Sequence, residues 1–200
     1  MISDSSEKTE AGRVMGNLIL VTGGARSGKS TFAEQLIRDA GEPVLYIATA
    51  VGFDVEMRER IAKHRQQRPP TWDTWEGYRN LKAVFNDTGP NYRSILLDCV
   101  TLCVSNWLLQ ETEIAVGEWD TVVLDQIEQA ILADLREFLD ETERRNTKVV
   151  MVTNEVGCGI VPENKLARVF RDVAGRVNQV IATRASTVYL IVCGQPLRIK

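Results

Sequence analysis

Gly23 is followed, after four residues, by Gly28-Lys29-Ser30, and that spacing constrains the chain more than any other feature. The whole stretch reads Gly23-Gly24-Ala25-Arg26-Ser27-Gly28-Lys29-Ser30. An apolar run, Leu18-Ile19-Leu20-Val21, enters it, and a helical pattern over residues 31–37 leaves it. A phosphate-binding P-loop needs that strand–loop–helix context. Its glycines let backbone N–H groups approach phosphate oxygens with no Cβ between them, and the helix N-terminus adds its positive dipole end. Lys29 is then placed to reach the outer phosphates, and the Ser30 hydroxyl to ligate Mg²⁺. The chain is expected to bind a nucleoside triphosphate.

The rest of the chain alternates strand and helix signals. Val44-Leu45-Tyr46-Ile47-Ala48-Thr49 reads as a buried parallel strand, and Asp54 as the N-cap of a charged helix ending before Pro69-Pro70. Thr71-Trp72-Asp73-Thr74-Trp75-Glu76 reads as a short edge strand, residues 78–85 as helical and Asp87-Thr88-Gly89-Pro90 as a turn. Ile95-Leu96-Leu97-Asp98 is an apolar strand ending in a carboxylate. Asp98 there is either a Walker-B-type Mg²⁺ ligand or a simple helix cap. Residues 100–110 form a short helical pattern and 119–145 a longer one. The longer one carries Trp119, Val122, Val123, Ile127, Ala130, Ile131, Leu135, Phe138 and Leu139 on one face, against the sheet or a partner subunit. A strand at 148–153, a loop at 154–164, a helix at 165–184, a strand at 187–192 and a tail at 195–200 complete the chain. This order predicts an α/β, P-loop NTPase-like three-layer domain with a mostly parallel central sheet over residues 17–200. Residues 1–16 are polar and expected to be a disordered extension.

Composition narrows the partners. The formal net charge is −3, without the basic excess that nucleic acid or an anionic membrane surface calls for. No apolar run approaches the ~20 residues of a membrane-spanning helix, which favours the cytoplasm. The four cysteines, Cys99, Cys103, Cys158 and Cys193, form no C-x-x-C pair, and one histidine completes no zinc set. Buried free thiols are expected. The tryptophans at 72, 75, 107 and 119 are expected in the core by default, with a substrate pocket or an interface as the alternatives.

Several further stretches stand in one order along the chain. They are Tyr46-Ile47-Ala48-Thr49, Arg60-Ile61-Ala62-Lys63-His64-Arg65, Leu96-Leu97-Asp98-Cys99-Val100-Thr101 and Asn154-Glu155-Val156-Gly157-Cys158-Gly159-Ile160-Val161-Pro162-Glu163-Asn164. The helix Ala167-Arg168-Val169-Phe170-Arg171-Asp172-Val173-Ala174-Gly175-Arg176-Val177-Asn178-Gln179 follows. With the P-loop, these resemble the bifunctional adenosylcobinamide kinase / adenosylcobinamide-phosphate guanylyltransferase family of cobalamin synthesis, from Leu18 to the C-terminus. The resemblance implies two reactions. ATP or GTP phosphorylates the hydroxyl of adenosylcobinamide. GTP then donates GMP to that phosphate through a guanylyl-histidine, giving adenosylcobinamide-GDP and pyrophosphate. It also implies a homotrimer and a corrinoid substrate.

His64 is the single histidine, and it falls within the matching motif. By itself, a lone histidine on a charged helix is usually just solvated. Within the resemblance it becomes the guanylylated nucleophile, since neutral imidazole attacks phosphorus near pH 7. Catalysis is assigned to His64 and Lys29, and Mg²⁺ to Ser30 and Asp98. Nucleotide contacts are expected from the loop residues Gly23, Gly24, Ala25, Arg26, Ser27, Gly28, Lys29 and Ser30. Further contacts are expected from Ala48, Thr49 and Ala50 at a strand's carboxyl end, from Arg65, Gln66, Gln67 and Arg68, from Glu76 and from Asp98. Gln66-Gln67 stands where the family often carries Asp-Gly. Arg168, Arg171 and Arg176 are expected to be solvated, and Asn154 and Glu155 to face the P-loop or a subunit contact. Three rivals stay open: a guanylyltransferase without kinase activity, a non-catalytic nucleotide-binding regulator, and a small-molecule P-loop kinase outside corrinoid metabolism.

Overall fold

Strands covered on both faces read as unbroken apolar runs, and the sheet is built from such runs. The computed structural model describes residues 17–52, 54–86, 91–114 and 121–200. Its strands are β1 (Leu18–Gly23), β2 (Val44–Ala48), β3 (Asp73–Glu76), β4 (Ser94–Asp98), β5 (Lys148–Val152), β6 (Thr187–Val192) and β7 (Gln195–Arg198). Every residue of β2 is buried, and β4 is buried until Asp98. Seven strands form one sheet in the order β3-β2-β4-β5-β1-β6-β7. All neighbours are parallel except β6 and β7.

The helices are α1 (Lys29–Arg38), α2 (Val55–Gln67), α3 (Val100–Ile114), α4 (Thr121–Arg144) and α5 (Lys165–Arg184). On one sheet face α3, α4 and α5 bury Val104, Leu108, Ile131, Leu135, Phe138 and Val177 against β1, β4 and β5. On the other face α1 buries Ala33 and Ile37 against Val21, Tyr46, Leu96 and Val150. This is the three-layer arrangement the alternation predicts. Helix α2 differs. Asp54 caps it by accepting from the Met57 N–H at 2.7 Å, yet none of its described side chains is buried.

Several expectations are corrected. The tail at 195–200 contains β7, which pairs with β6 across Cys193-Gly194. Both turn residues have positive φ (51° and 77°), as a two-residue hairpin turn that follows strand twist requires. Residues 78–85 contain only a 3₁₀ helix, Leu81–Phe85. Asn80 is left-handed at φ 52°, and Asp134 of α4 accepts the Leu81 N–H at 3.0 Å, so the helical turn starts there. The apolar face of α4 is narrower than its sequence pattern, with Val122, Val123 and Ala130 exposed and Leu132 buried. Arg176 is not simply solvated: its guanidinium forks onto Glu128 of α4 at 2.5 and 2.6 Å. Arg168 donates to the carbonyls of Pro162 and Glu163 at 2.9 and 2.6 Å, closing the turn that starts α5. The extension at 1–16, the turn at 87–90 and Trp119 lie outside the described residues.

The thiols divide into two pairs. Cys99 and Cys103 are buried, whereas Cys158 and Cys193 are exposed, against the expectation of general burial. The latter two sit on connections rather than inside packed elements. Burial pushes the Cys99 thiol up to about 12 and raises Cys103 as well. Maleimide is expected to modify Cys158 and Cys193 in the native protein and all four thiols after unfolding, read by intact mass. Modification of Cys99 or Cys103 before unfolding would contradict this packing.

Candidate active site

The loop between β1 and α1 closes through glycine backbone. Gly23 has φ 152°, and a Cβ there would lie 2.5 Å from the Ile191 carbonyl oxygen of β6. Gly28, the N-cap of α1, has φ 97°, and its Cβ would come within 3.2 Å of Gly194 Cα. The Gly194 N–H donates to the Ser27 carbonyl at 2.8 Å. The β6–β7 turn therefore braces the loop from outside. Buried Lys29 donates from Nζ to the Gly24 carbonyl at 2.5 Å, which holds the ammonium over the loop.

A cavity of about 470 Å³ opens in front of this loop, at the carboxyl ends of β1, β2, β4 and β5. The loop contributes Ala25, Arg26, Ser27, Gly28, Lys29 and Ser30 to its wall. Ala48, Ala50 and Asp98 contribute from strand ends. Opposite them, Met57, Ile61 and His64 of α2 and then Arg68 also line it. Steps of four and three residues place Met57, Ile61 and His64 on one stripe of α2, and Arg68 follows as its extended C-cap. So α2, which buries nothing in the core, turns one face to the cavity and the other to solvent.

A short chain of contacts joins Arg68 to Asp98. The Arg68 guanidinium lies over the Tyr46 ring, 3.7 Å from its centroid. The Tyr46 hydroxyl donates to Asp98 Oδ2 at 3.1 Å. Burial, reinforced by the Asp98 carboxylate, pushes the phenol pKa up, so it stays a donor. Nε and Nη1 of Arg68 are buried and have no hydrogen-bond partner among the described residues. Unpaired guanidinium donors beside a phosphate-binding loop suit an anion. Glu34 of α1 is near this group, and burial raises its carboxyl while Arg38 opposes the rise. Tyr46 is absent from the sequence-derived contacts. Its one signal is a hydroxyl inside an apolar strand, which needs a partner when buried.

Other expected contacts do not line the cavity. Thr49 is fully buried, with its hydroxyl donating to the Cys99 carbonyl at 2.7 Å and accepting from the Cys99 N–H at 2.8 Å. It ties the end of β2 to the start of α3. Gly23 and Gly24 shape the loop from behind. Arg65 and Glu76 pair with each other, half or more exposed, outside the cavity wall. Gln66 is exposed on the outer face of α2, and the Gln67 side chain lies outside the description.

The wall supplies two groups for metal binding and two nucleophiles. The Ser30 hydroxyl and Asp98 carboxylate are hard oxygen donors in one cavity. No group of three His, Cys, Asp or Glu side chains suited to a metal occurs among the described residues. Two protein oxygens suit Mg²⁺, which takes its other ligands from phosphates and water. Of the two nucleophiles on the wall, Cys99 is held as the thiol by burial, while His64 offers an imidazole.

Comparison with known proteins gives one answer. Residues 19–199 match the family model described as cobinamide kinase / cobinamide phosphate guanyltransferase. The bifunctional adenosylcobalamin biosynthesis protein CobU of Escherichia coli K12 is 49% identical over 185 residues, covering 92% of this chain and 99% of that protein. CobU of Salmonella typhimurium LT2 is 48% identical over 92% of this chain and 99% of its own length. The bifunctional adenosylcobalamin biosynthesis protein CobP of Pseudomonas aeruginosa PAO1 is 40% identical over 90% and 96%.

Two substitutions test the geometry. Gly23→Ala is expected to cost roughly 1–3 kcal/mol in urea unfolding and to abolish nucleotide binding by calorimetry, because the Ile191 carbonyl is backbone and does not yield easily. Tyr46→Phe keeps the ring under Arg68 and removes only the donor to Asp98. It is expected to cost about 1 kcal/mol. A loss large enough to unfold the protein would show that the hydroxyl has other partners.

Proposed function

The chain belongs to the cobinamide kinase / cobinamide phosphate guanyltransferase family, and on that footing we propose how its cavity serves both reactions. The protein is a transferase that phosphorylates adenosylcobinamide and then transfers GMP from GTP to the product. Residues 17–200 are read as one catalytic unit and the enzyme as a cytoplasmic homotrimer. Among the described residues no helix is long and apolar enough to cross a membrane.

The observation that carries the mechanism is the stripe Met57–Ile61–His64, with Arg68 just past the helix end, facing the P-loop across one cavity. In the kinase reaction the corrinoid hydroxyl oxygen forms a bond to the γ-phosphorus of ATP or GTP. The bond from that phosphorus to the bridging oxygen breaks, and the nucleoside diphosphate leaves. Loop N–H groups and Lys29 hold the phosphates and stabilise the charge on the leaving oxygens. Ser30 and Asp98 would hold Mg²⁺, which supplies further neutralisation of that charge.

In the second reaction a His64 ring nitrogen attacks the α-phosphorus of GTP and pyrophosphate departs. The corrinoid phosphate oxygen then attacks the same phosphorus, the P–N bond breaks, and His64 is regenerated. The unpaired Arg68 donors stabilise phosphate oxygens during both displacements. Arg65 and Glu76, outside the cavity wall, supply nucleotide contacts once their pair opens, and Ala48 and Ala50 line the cavity itself.

Incubation with Mg²⁺ and GTP, quenched at alkaline pH because phosphoramidates are acid-labile, is expected to add one GMP to the wild-type mass. His64→Ala is expected to lack that adduct and to lose guanylyl transfer by several orders of magnitude. A folded, GTP-binding wild type without an adduct would remove His64 from the mechanism.

A further inference from the structure

Strand β5 lies between β4, which ends in Asp98, and β1, which runs into the P-loop. Its Val152 is level with Asp98 on one side and Val21 on the other. The chain leaving β5 therefore emerges between the carboxylate and the phosphate loop, and Asn154 lines the cavity there.

The backbone of Asn154 is held from both ends. The flanking N–H groups, of Thr153 and Glu155, donate to Val21 and Gly23 of β1 at 2.9 and 3.0 Å. The N–H of Asn154 points the other way and donates to Thr101 Oγ1 at 2.6 Å. Thr101 Oγ1 lies 3.1 Å from Thr153 Oγ1. Thr153 Oγ1 spends its one hydrogen on Asn178 Oδ1 at 2.8 Å, so Thr101 must be the donor to Thr153. Asn178 Nδ2 returns to the Asn154 carbonyl at 3.4 Å. The result is a closed ring of donors and acceptors running from the Asn154 N–H back to its carbonyl. Two of its hydroxyls are buried, and polar groups in such a setting are costly unless fully satisfied. The ring holds the main chain of one residue, and the Asn154 side-chain amide makes no hydrogen bond to any described residue.

We propose that Asn154 is a catalytic residue of the kinase reaction, orienting the transferred phosphoryl group and the attacking hydroxyl. A carboxamide carries a donor and an acceptor a short distance apart. That suits an equatorial phosphoryl oxygen on one side and the incoming O–H on the other. In the balanced step the hydroxyl oxygen bonds to the γ-phosphorus, the bond to the bridging oxygen breaks toward the nucleoside diphosphate, and the hydroxyl proton passes to water. In guanylyl transfer the nucleophile comes instead from α2, across the cavity. The amide therefore weights the two reactions unequally, and Thr101, Thr153 and Asn178 act as positioning residues through it. This inference rests on the reading that one cavity carries both reactions.

The test measures the two half-reactions separately on Asn154→Ala. Cobinamide and ATP report the kinase, as cobinamide phosphate formed. Cobinamide phosphate and GTP report guanylyl transfer, as pyrophosphate released. The expected result is a kinase kcat lower by about 100-fold or more, with guanylyl transfer lower by less than about 5-fold and little change in nucleotide KM. Thr101→Val breaks the ring and leaves the amide in place, so it is expected to lower the kinase kcat by a smaller factor in the same unequal way. Equal losses in both reactions, or no loss in the kinase, would overturn the role of Asn154. A wild-type protein without cobinamide phosphorylation would instead overturn the reading on which the role rests.

Discussion

A polyphosphate can be held only where its charge is met, and the groups able to meet it gather at the carboxyl edge of β1. Backbone N–H groups from the loop, the N-terminus of α1 and the Lys29 ammonium converge there. For these to converge, Gly23 must pass beneath a carbonyl of β6 with no room for a Cβ. That in turn fixes β1 inside a parallel sheet with β6 on one side and β5 on the other. The layers of helix serve this requirement. Helices α1, α3, α4 and α5 cover the faces of the sheet, and the cavity opens at the carboxyl ends of its strands.

Helix α2 stands outside this scheme and shows what the core does not need. Its sequence is polar and charged, and half-burial is confined to Met57, Ile61 and His64 among its described side chains. A helix of that composition gains little from hydrophobic burial. It is held by its Asp54 cap, by the cavity-facing stripe, and by Arg68 resting on Tyr46 just past its end. His64, the proposed nucleophile, is therefore borne by the least embedded helix, and the phosphate loop by a strand inside the sheet, between β5 and β6.

Much of this was legible in the sequence, and the exceptions have physical causes. The P-loop spacing, the apolar strands and the cap at Asp54 are local signals, and the elements they mark lie where expected. Strand β7 has no such signal. Gln195-Pro196-Leu197-Arg198 is polar and proline-bearing, and it becomes a strand only by pairing with β6. Thr49 illustrates a different limit. A threonine at a strand's carboxyl end reads as a ligand contact, but the cross-chain partner that consumes its hydroxyl, Cys99, is fifty residues away. The link from Tyr46 to Asp98 and Arg68 is hidden for the same reason. The ring around Asn154 is the extreme case, since it draws on residues 101, 153, 154 and 178 and none of them is unusual alone.

The brace on the P-loop bears on how the chain matures during synthesis. The loop is made early, but what shapes it is made more than 150 residues later. Leu18 accepts from Ser186, 168 residues further on, and Gly194 then closes onto Ser27. A nascent chain ending before β6 has the loop sequence without the walls that hold its backbone in place. Contacts this distant in sequence are slow to form, because a long loop must close before they return any stabilisation. Competence to bind nucleotide thus waits until the β6–β7 hairpin has left the ribosome.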